Sequence, residues 1–402
     1  MSEIYLVFVV FLFVLAVFDL MVGVSNDAVN FLNSAIGAKV AKFRTIIIVA
    51  AVGVFIGATM SNGMMEVARH GIFHPAMFSF KELMFIFLAV MISDVILLDI
   101  FNNLGLPTST TVSLVFELLG GTTAFVLLKL ANDTTGLTVG DLMNTEKALG
   151  MIMAIFVSVA IAFFFGIVLQ YISRLVFTFT YKKNLKWKIG IFGGVATTAI
   201  FYFMLFKGIK SMSFVTPEIY EYIQSHTLAI LGICFLASTA LMQVLYFLKV
   251  NVFKVLVLMG TFALAMAFAG NDLVNFIGVP LAGYSSYIDF ASSGATDPGS
   301  FMMSSLDGPA KSPLIFLIAA GAVMVLSLAT SKKARNVIKT SVDLSRQSEG
   351  DEMFGSSKIA RVLVRFSNNT ANFFKDVVPD NVRNWCEKRF NTDEARLPEG
   401  AA

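Results

Sequence analysis

Charge is scarce in this chain. Lys, Arg, Asp and Glu make up 14% of its 402 residues, against about 25% in an ordinary globular domain. A soluble chain of this length could not cover its apolar surface with so few charges, which excludes a soluble enzyme as the starting hypothesis. Cysteine is nearly absent as well: Cys234 and Cys386 stand far apart, with no CxxC and no flanking His, so neither a disulfide framework nor a zinc site is indicated. His70, His74 and His226 are the only histidines; they fall in loops without metal-ligand spacing. There is no nucleophile elbow, Walker sequence or HExxH, and nothing supports a membrane enzyme or a bound cofactor. A net charge of +3 is too small to argue for nucleic acid.

What is abundant is apolar. Hydrophobic residues reach 56%, with 40 Phe and 20 Met. The mean hydropathy is +0.77. Nine apolar segments can be read, at 4–24, 45–65, 82–103, 108–129, 148–173, 189–207, 227–247, 252–270 and 313–330. Each is near the ~20 residues that cross a ~30 Å hydrocarbon layer at about 1.5 Å per residue. The expected fold is therefore an all-α polytopic membrane protein. The first segment lacks a basic n-region and a small-residue cleavage site and contains Asp19, so it is read as a retained span rather than a signal peptide.

Lys and Arg distribute unevenly between the two sides. Loops on the N-terminal side carry Arg69, Lys81, Lys129, Lys147, Lys207, Lys210 and Lys311, whereas the other side holds a cluster at Arg174, Lys182, Lys183, Lys186 and Lys188 and receives the basic tail. The positive-inside rule then puts the N-terminus outside and residues 331–402 in the cytoplasm of a cell (plasma or inner) membrane. Within that tail Ile359, Val362, Leu363, Phe366 and Phe373 recur near helical spacing, interleaved with Lys358, Arg361 and Arg365. This pattern fits either an amphipathic helix on the headgroups or a solvated linker helix.

A short repeat organises the chain. Asn26-Asp27-Ala28-Val29-Asn30-Phe31 and Asn271-Asp272-Leu273-Val274-Asn275-Phe276 agree at five of six positions. Both copies are expected at the C-terminal ends of apolar spans, the first and the eighth. An odd number of crossings separates them, so they lie in opposite orientations. Treating segments three and four as a re-entrant hairpin leaves that parity unchanged. Oppositely oriented duplicates mark inverted-repeat secondary transporters, whose site lies near the midplane. Three parts follow: residues 1–247 as N-terminal repeat and connecting helices, 248–330 as the start of an inverted C-terminal repeat, and 331–402 as tail.

The chemistry of the repeated segment is that of hard-oxygen ligation. On a helix, Asn26, Asp27 and Asn30 project within about a 100° arc, as do Asn271, Asp272 and Asn275. A carboxylate with two amides suits a small cation such as sodium; the competing reading is a polar helix end at the interface. A second motif, Gly105-Leu106-Pro107-Thr108-Ser109-Thr110-Thr111, breaks one helix and starts another. Pro is expected in the first turn of that helix, and the hydroxyls offer N-caps. A helix start with free N–H groups and O–H donors can bind an anion without a basic side chain; the alternative is an ordinary loop-to-helix junction. Asp19, Asp94, Asp99 and Glu117 are the other intramembrane acids. They either pack structurally, pair between helices, relay protons or border a cavity. Asp94 and Asp99, five apart, do not share a face and are not read as a dyad.

At these residues the chain resembles the inorganic phosphate transporter (PiT) family of cation-coupled phosphate symporters, through its two Asn-Asp segments together with GLPTSTTVS. The resemblance covers residues 1 to about 330. It implies an inverted-repeat fold, a dimer in many members, and phosphate imported with sodium or, in some, with protons. By position, Asn26, Asp27, Asn30, Asn271, Asp272 and Asn275 would shape the cation and phosphate sites, and Ser109, Thr110 and Thr111 would hold phosphate. One departure stands out: the family carries a second Ser-Thr-Thr segment in its C-terminal repeat, and none occurs here. Either the sequence is part of a longer transporter, or the second half-site is missing and the chain is a non-transporting partner. A passive anion channel lined by the same hydroxyls is the remaining alternative.

Overall fold

The structure, a computed structural model, describes residues 2–61, 67–132, 136–179, 181–208, 217–308, 312–345, 355, 357–377 and 379–391. Among these, the helices are α1 (Ser2–Gly37), α2 (Phe43–Met60), α3 (Phe80–Leu104), α4 (Thr110–Ala131), α5 (Val139–Leu142), α6 (Thr145–Phe177), α7 (Lys188–Gly208), α8 (Pro217–Ser225), α9 (Thr227–Phe247), α10 (Val252–Ser293), α11 (Leu314–Thr330), α12 (Lys332–Leu344), α13 (Lys358–Val377) and α14 (Asp380–Arg389). Extended pairing among the described residues is limited to two isolated bridges, Phe73 with Met143 and Ser79 with Met302. Helices satisfy every backbone group internally, which is what a lipid surrounding demands.

All nine expected segments meet helices, residues 62–65 of the second lying outside the described residues, but the count of spans differs. Seven described helices are long and apolar enough to cross a membrane, namely α1, α2, α3, α4, α6, α9 and α10, and α11 with α12 makes an eighth if that pair, bent by 66°, is taken as one. α7 runs for 21 residues, and its stretch Lys188–Met204 is a shorter apolar helix beside these. α3 and α4 each reach that length, and the sharp bend lies at α11–α12 rather than in the α3–α4 pair read as a possible hairpin.

Two helices run well past their expected ends. α1 has 36 residues and α10 has 42, or roughly 54 and 63 Å at 1.5 Å per residue. The Asn-Asp segments were expected at span ends because polarity interrupts the apolar run there. A helix, however, needs only its backbone hydrogen bonds to continue, and both segments sit inside continuous helix.

α1 and α10 pack antiparallel. Phe31 and Phe268 lie with ring centroids 6.1 Å apart, and Phe13 and Tyr284 5.9 Å apart. Between these contacts Gly23 lies so close to Phe276 that a Cβ there would come within 2.1 Å of the ring. As positions descend along α1 they ascend along α10, and this register sets Asp27 opposite Asp272. α2 packs alongside α10 in the parallel sense: Gly53 meets the Phe262 carbonyl, Gly57 the Met266 carbonyl, and the Ser61 hydroxyl donates to the Gly270 carbonyl at 2.8 Å.

Two apolar cores flank this crossing. One joins the second half of α1 with α2, the middle of α10, α11 and α12; the other joins the first half of α1 with α3, α4 and the C-terminal part of α10. α12 belongs to the first core, with Ala334, Val337 and Ile338 buried in it. Residues 332–344, expected within a separate tail, are thus part of the membrane domain's core. The reason is amphipathicity: the basic residues of α12 read as tail, but its apolar face packs on α1. α13 forms as the tail pattern predicts, with Val362, Leu363 and Phe366 exposed.

Candidate functional site

The link between α3 and α4 brings the hydroxyl-rich motif to the α1–α10 crossing. α3 ends at Leu104 because Gly105 takes the left-handed conformation at φ 67°, which glycine adopts without a Cβ penalty. α4 begins at Thr110, with Ser109 as N-cap accepting from the Val112 N–H at 3.3 Å. Pro107 therefore lies ahead of the cap, not in the first turn where it was expected; its fixed φ and missing N–H serve the extended link instead.

Asn26 holds that link in place. Its Nδ2 donates to Asn102 Oδ1 at 2.9 Å and to the Leu106 carbonyl at 3.0 Å, and its Oδ1 accepts from the Thr108 N–H at 2.8 Å. Asn102 is in turn anchored on α1, donating to the Val22 carbonyl at 2.7 Å. Asn102 was not singled out from the sequence; an amide closing an apolar run just before Gly-Leu-Pro is the signal that could have found it.

Around this clamp the expected residues separate into two groups. Asp27, Thr110, Thr111, Asp272 and Asn275 come together. Thr110 Oγ1 donates to Asp27 Oδ2 at 3.2 Å, while Asn275 Nδ2 reaches Thr111 Oγ1 at 2.9 Å, Thr110 Oγ1 at 3.4 Å and Asp272 Oδ1 at 3.4 Å. One chain of hydrogen bonds thus runs from the carboxylate of α1, through the first turn of α4, to the carboxylate of α10. Asp27 and Asp272 also line a common cavity of about 10 Å³ with Val24, Phe31, Phe268 and Ala269 among its walls. That is room for about one water-sized occupant. Ser109, Asn30 and Asn271 are exposed and lie outside the hydrogen-bonded group.

Chemically, two opposed carboxylates in a small, mostly apolar cavity call for positive charge between them. The N-terminal turn of α4 adds the positive end of a helix dipole and two hydroxyls beside that point. A cation and an anion can therefore be held side by side. Among the described residues no three His, Cys, Asp or Glu side chains are arranged to hold a metal ion by themselves, so oxygen ligands beyond the two aspartates would have to come from hydroxyls, amides, backbone or the anion.

The other acids distribute as follows. Asp99 pairs with Lys333 of α12, and Asp94 accepts from Ser113, so the two have different partners and do not form a dyad.

In comparison with solved structures, the fold is similar to one described as "The sodium-dependent phosphate transporter", with a TM-score of 0.61 and 19% identity over 85% of this chain and 79% of that one. A search of curated proteins finds no match. The profile of the phosphate transporter family matches residues 23–342, an extent that takes in both Asn-Asp segments, the start of α4 and most of α12. On that match the chain belongs to the phosphate transporter family.

Proposed function

We propose that the chain carries inorganic phosphate into the cell together with a cation, sodium or a proton, by alternating access across the plasma or inner membrane. The observation that carries this reading is the hydrogen-bonded line from Asp27 through Thr110 and Thr111 to Asn275 and Asp272. The N-terminus lies outside and residues 331–402 lie on the cytoplasmic side, in keeping with the basic cluster at Arg174, Lys182, Lys183, Lys186 and Lys188.

In this reading the cation sits between Asp27 and Asp272. Thr110 and Thr111, with the exposed Ser109 at the cap, receive the phosphate at the start of α4. Asn26 fixes the α3–α4 link, Asn275 ties Thr110 and Thr111 to Asp272, and the exposed Asn30 and Asn271 would meet the ions on their way in. Near neutral pH phosphate carries roughly −1.5 to −2 charges if it titrates as a phosphomonoester does, and it enters an apolar site only with compensation. The helix dipole supplies part of this and the cation the rest. Coupling follows because the anion site is complete only when the cation is bound. Each net positive charge carried inward gains about 2.3 kcal/mol per 100 mV, which drives concentrative uptake.

The test is phosphate uptake by the protein in liposomes under imposed sodium or proton gradients. Asp27→Asn and Asp272→Asn should each abolish gradient-driven uptake. Undiminished uptake by both variants would falsify the assignment, and conductance-like flux that ignores both gradients would replace the symporter with an anion channel.

A further inference from the structure

A second group of acids, one of them on the same helix as Asp27 and about two turns toward its N-terminus, takes no part in the site above. Asp19 of α1 is fully buried, and neither of its carboxyl oxygens has a hydrogen-bond partner among the described donors. Its acidic electrostatic neighbours include Asp94 on α3 and Glu117 on α4. Asp94 Oδ2 and Glu117 Oε2 are buried and unpartnered as well. No ion pair among the described residues reaches any of the three.

Proton counting shows what these groups must hold. Ser113 Oγ lies 2.6 Å from Asp94 Oδ1 and 2.8 Å from Glu117 Oε1. A serine hydroxyl has one hydrogen and so donates once. The second contact requires an O–H on a carboxyl group, donating to Ser113 Oγ. A metal ion is the weaker alternative, because no three acids among the described residues are arranged around one point to ligate it.

Among the described residues the charged surroundings do not supply a neutralising partner. On α1 the nearest further acid is Asp27, and from α10 Asp272 faces Asp27 rather than this group. Lys333 of α12 is taken by Asp99 on α3. Lys129 of α4 is taken by Glu82. α2 carries only Arg44, in its first turn, and α11 has no ionisable side chain.

We propose that Asp19, Asp94, Glu117 and Ser113 form a proton-holding site between α1, α3 and α4, separate from the Asp27–Asp272 site. Its ligand is the proton, held on carboxyl oxygens within the membrane domain at neutral pH. Proton loss would place negative charge along α1 toward Asp27. Resting on the transport reading above, this makes the cation affinity of uptake tighten as pH rises.

Infrared spectroscopy of the full chain in lipid, in ordinary and heavy water, tests the site directly. The expected result is a protonated-carboxyl band at neutral pH that shifts on deuteration, persists in Asp27→Asn, and weakens in Asp94→Asn and in Glu117→Gln. Absence of the band from the unaltered protein at neutral pH overturns the proposal without recourse to any variant. An undiminished band in both folded variants overturns it too. In the same preparations, phosphate uptake is measured against sodium concentration at several pH values. Unaltered protein should show the pH-dependent affinity and Glu117→Gln a flattened one. If uptake fails throughout while the band behaves as stated, the transport reading falls and the proton site stands.

Discussion

Asn26 and Asn271 hold equivalent places in the two Asn-Asp segments yet live in different surroundings. Asn26 is buried and satisfies Asn102, the Leu106 carbonyl and the Thr108 N–H, whereas Asn271 is exposed. Leaving a buried polar group unpaired costs about 1–3 kcal/mol. Asn26→Ala strands several such groups and should lower the melting temperature of the detergent-solubilised protein clearly more than Asn271→Ala does. Equal shifts would mean that the clamp contributes little. The identity of the two segments is plain in the sequence and leads to the two aspartates that line a common cavity. Their inequality is not, because it arises from the α3–α4 link, which reaches α1 from some eighty positions away. Pro107 illustrates the same limit: its presence marks a helix boundary, but which side of the cap it occupies depends on how the link is tied down.

At the scale of elements, the close approach of α2 and α10 depends on two glycines a helical turn apart. A Cβ at Gly57 would lie 2.0 Å from the Met266 carbonyl oxygen, and one at Gly53 2.6 Å from that of Phe262. Small residues at this spacing let helix backbones meet in lipid, where apolar side chains gain nothing by leaving the tails. Gly57→Val must push the helices apart, at a cost of at least about 1–3 kcal/mol; a sharply reduced yield of monodisperse protein is expected. Gly150 in α6 has nothing within 4 Å of an added Cβ, and Gly150→Ala should be neutral or stabilising by about 0.5–1 kcal/mol. Size-exclusion profiles and thermal unfolding of the two variants decide the matter. Helix content was legible throughout, since apolar runs of this length admit little else in lipid. Helix ends were not, because a polar Asn-Asp pair interrupts hydropathy without interrupting hydrogen bonding.

For the whole molecule, the boundary between membrane domain and tail falls later than composition implies. α12 is held by Asn33 donating to Ser341 at 3.0 Å, Ser25 donating to Ser331 at 2.8 Å and the Asp99–Lys333 pair, besides its apolar face on α1. A chain ending after Ser345 should still yield folded protein with a melting transition near that of the full chain. One ending after Thr330 should lose it, and survival of the shorter chain would show that α12 is dispensable. Basic residues made α12 read as tail because charge dominates the composition of so short a helix, while the few apolar side chains that bury it carry little weight in any average.

The antiparallel register of α1 and α10 has one more consequence. A half-turn about the point between Asp27 and Asp272 carries each helix onto the direction of the other, so the dipoles of the two helices by themselves would not favour one way out for an ion between those carboxylates. For a cation held there as proposed, these two groups would confer strength of binding but no directionality. The bias toward one exit has to come from whatever breaks the symmetry. Here that is the first turn of α4, which approaches from a single side, and the tie at Asn26 that has no counterpart at Asn271.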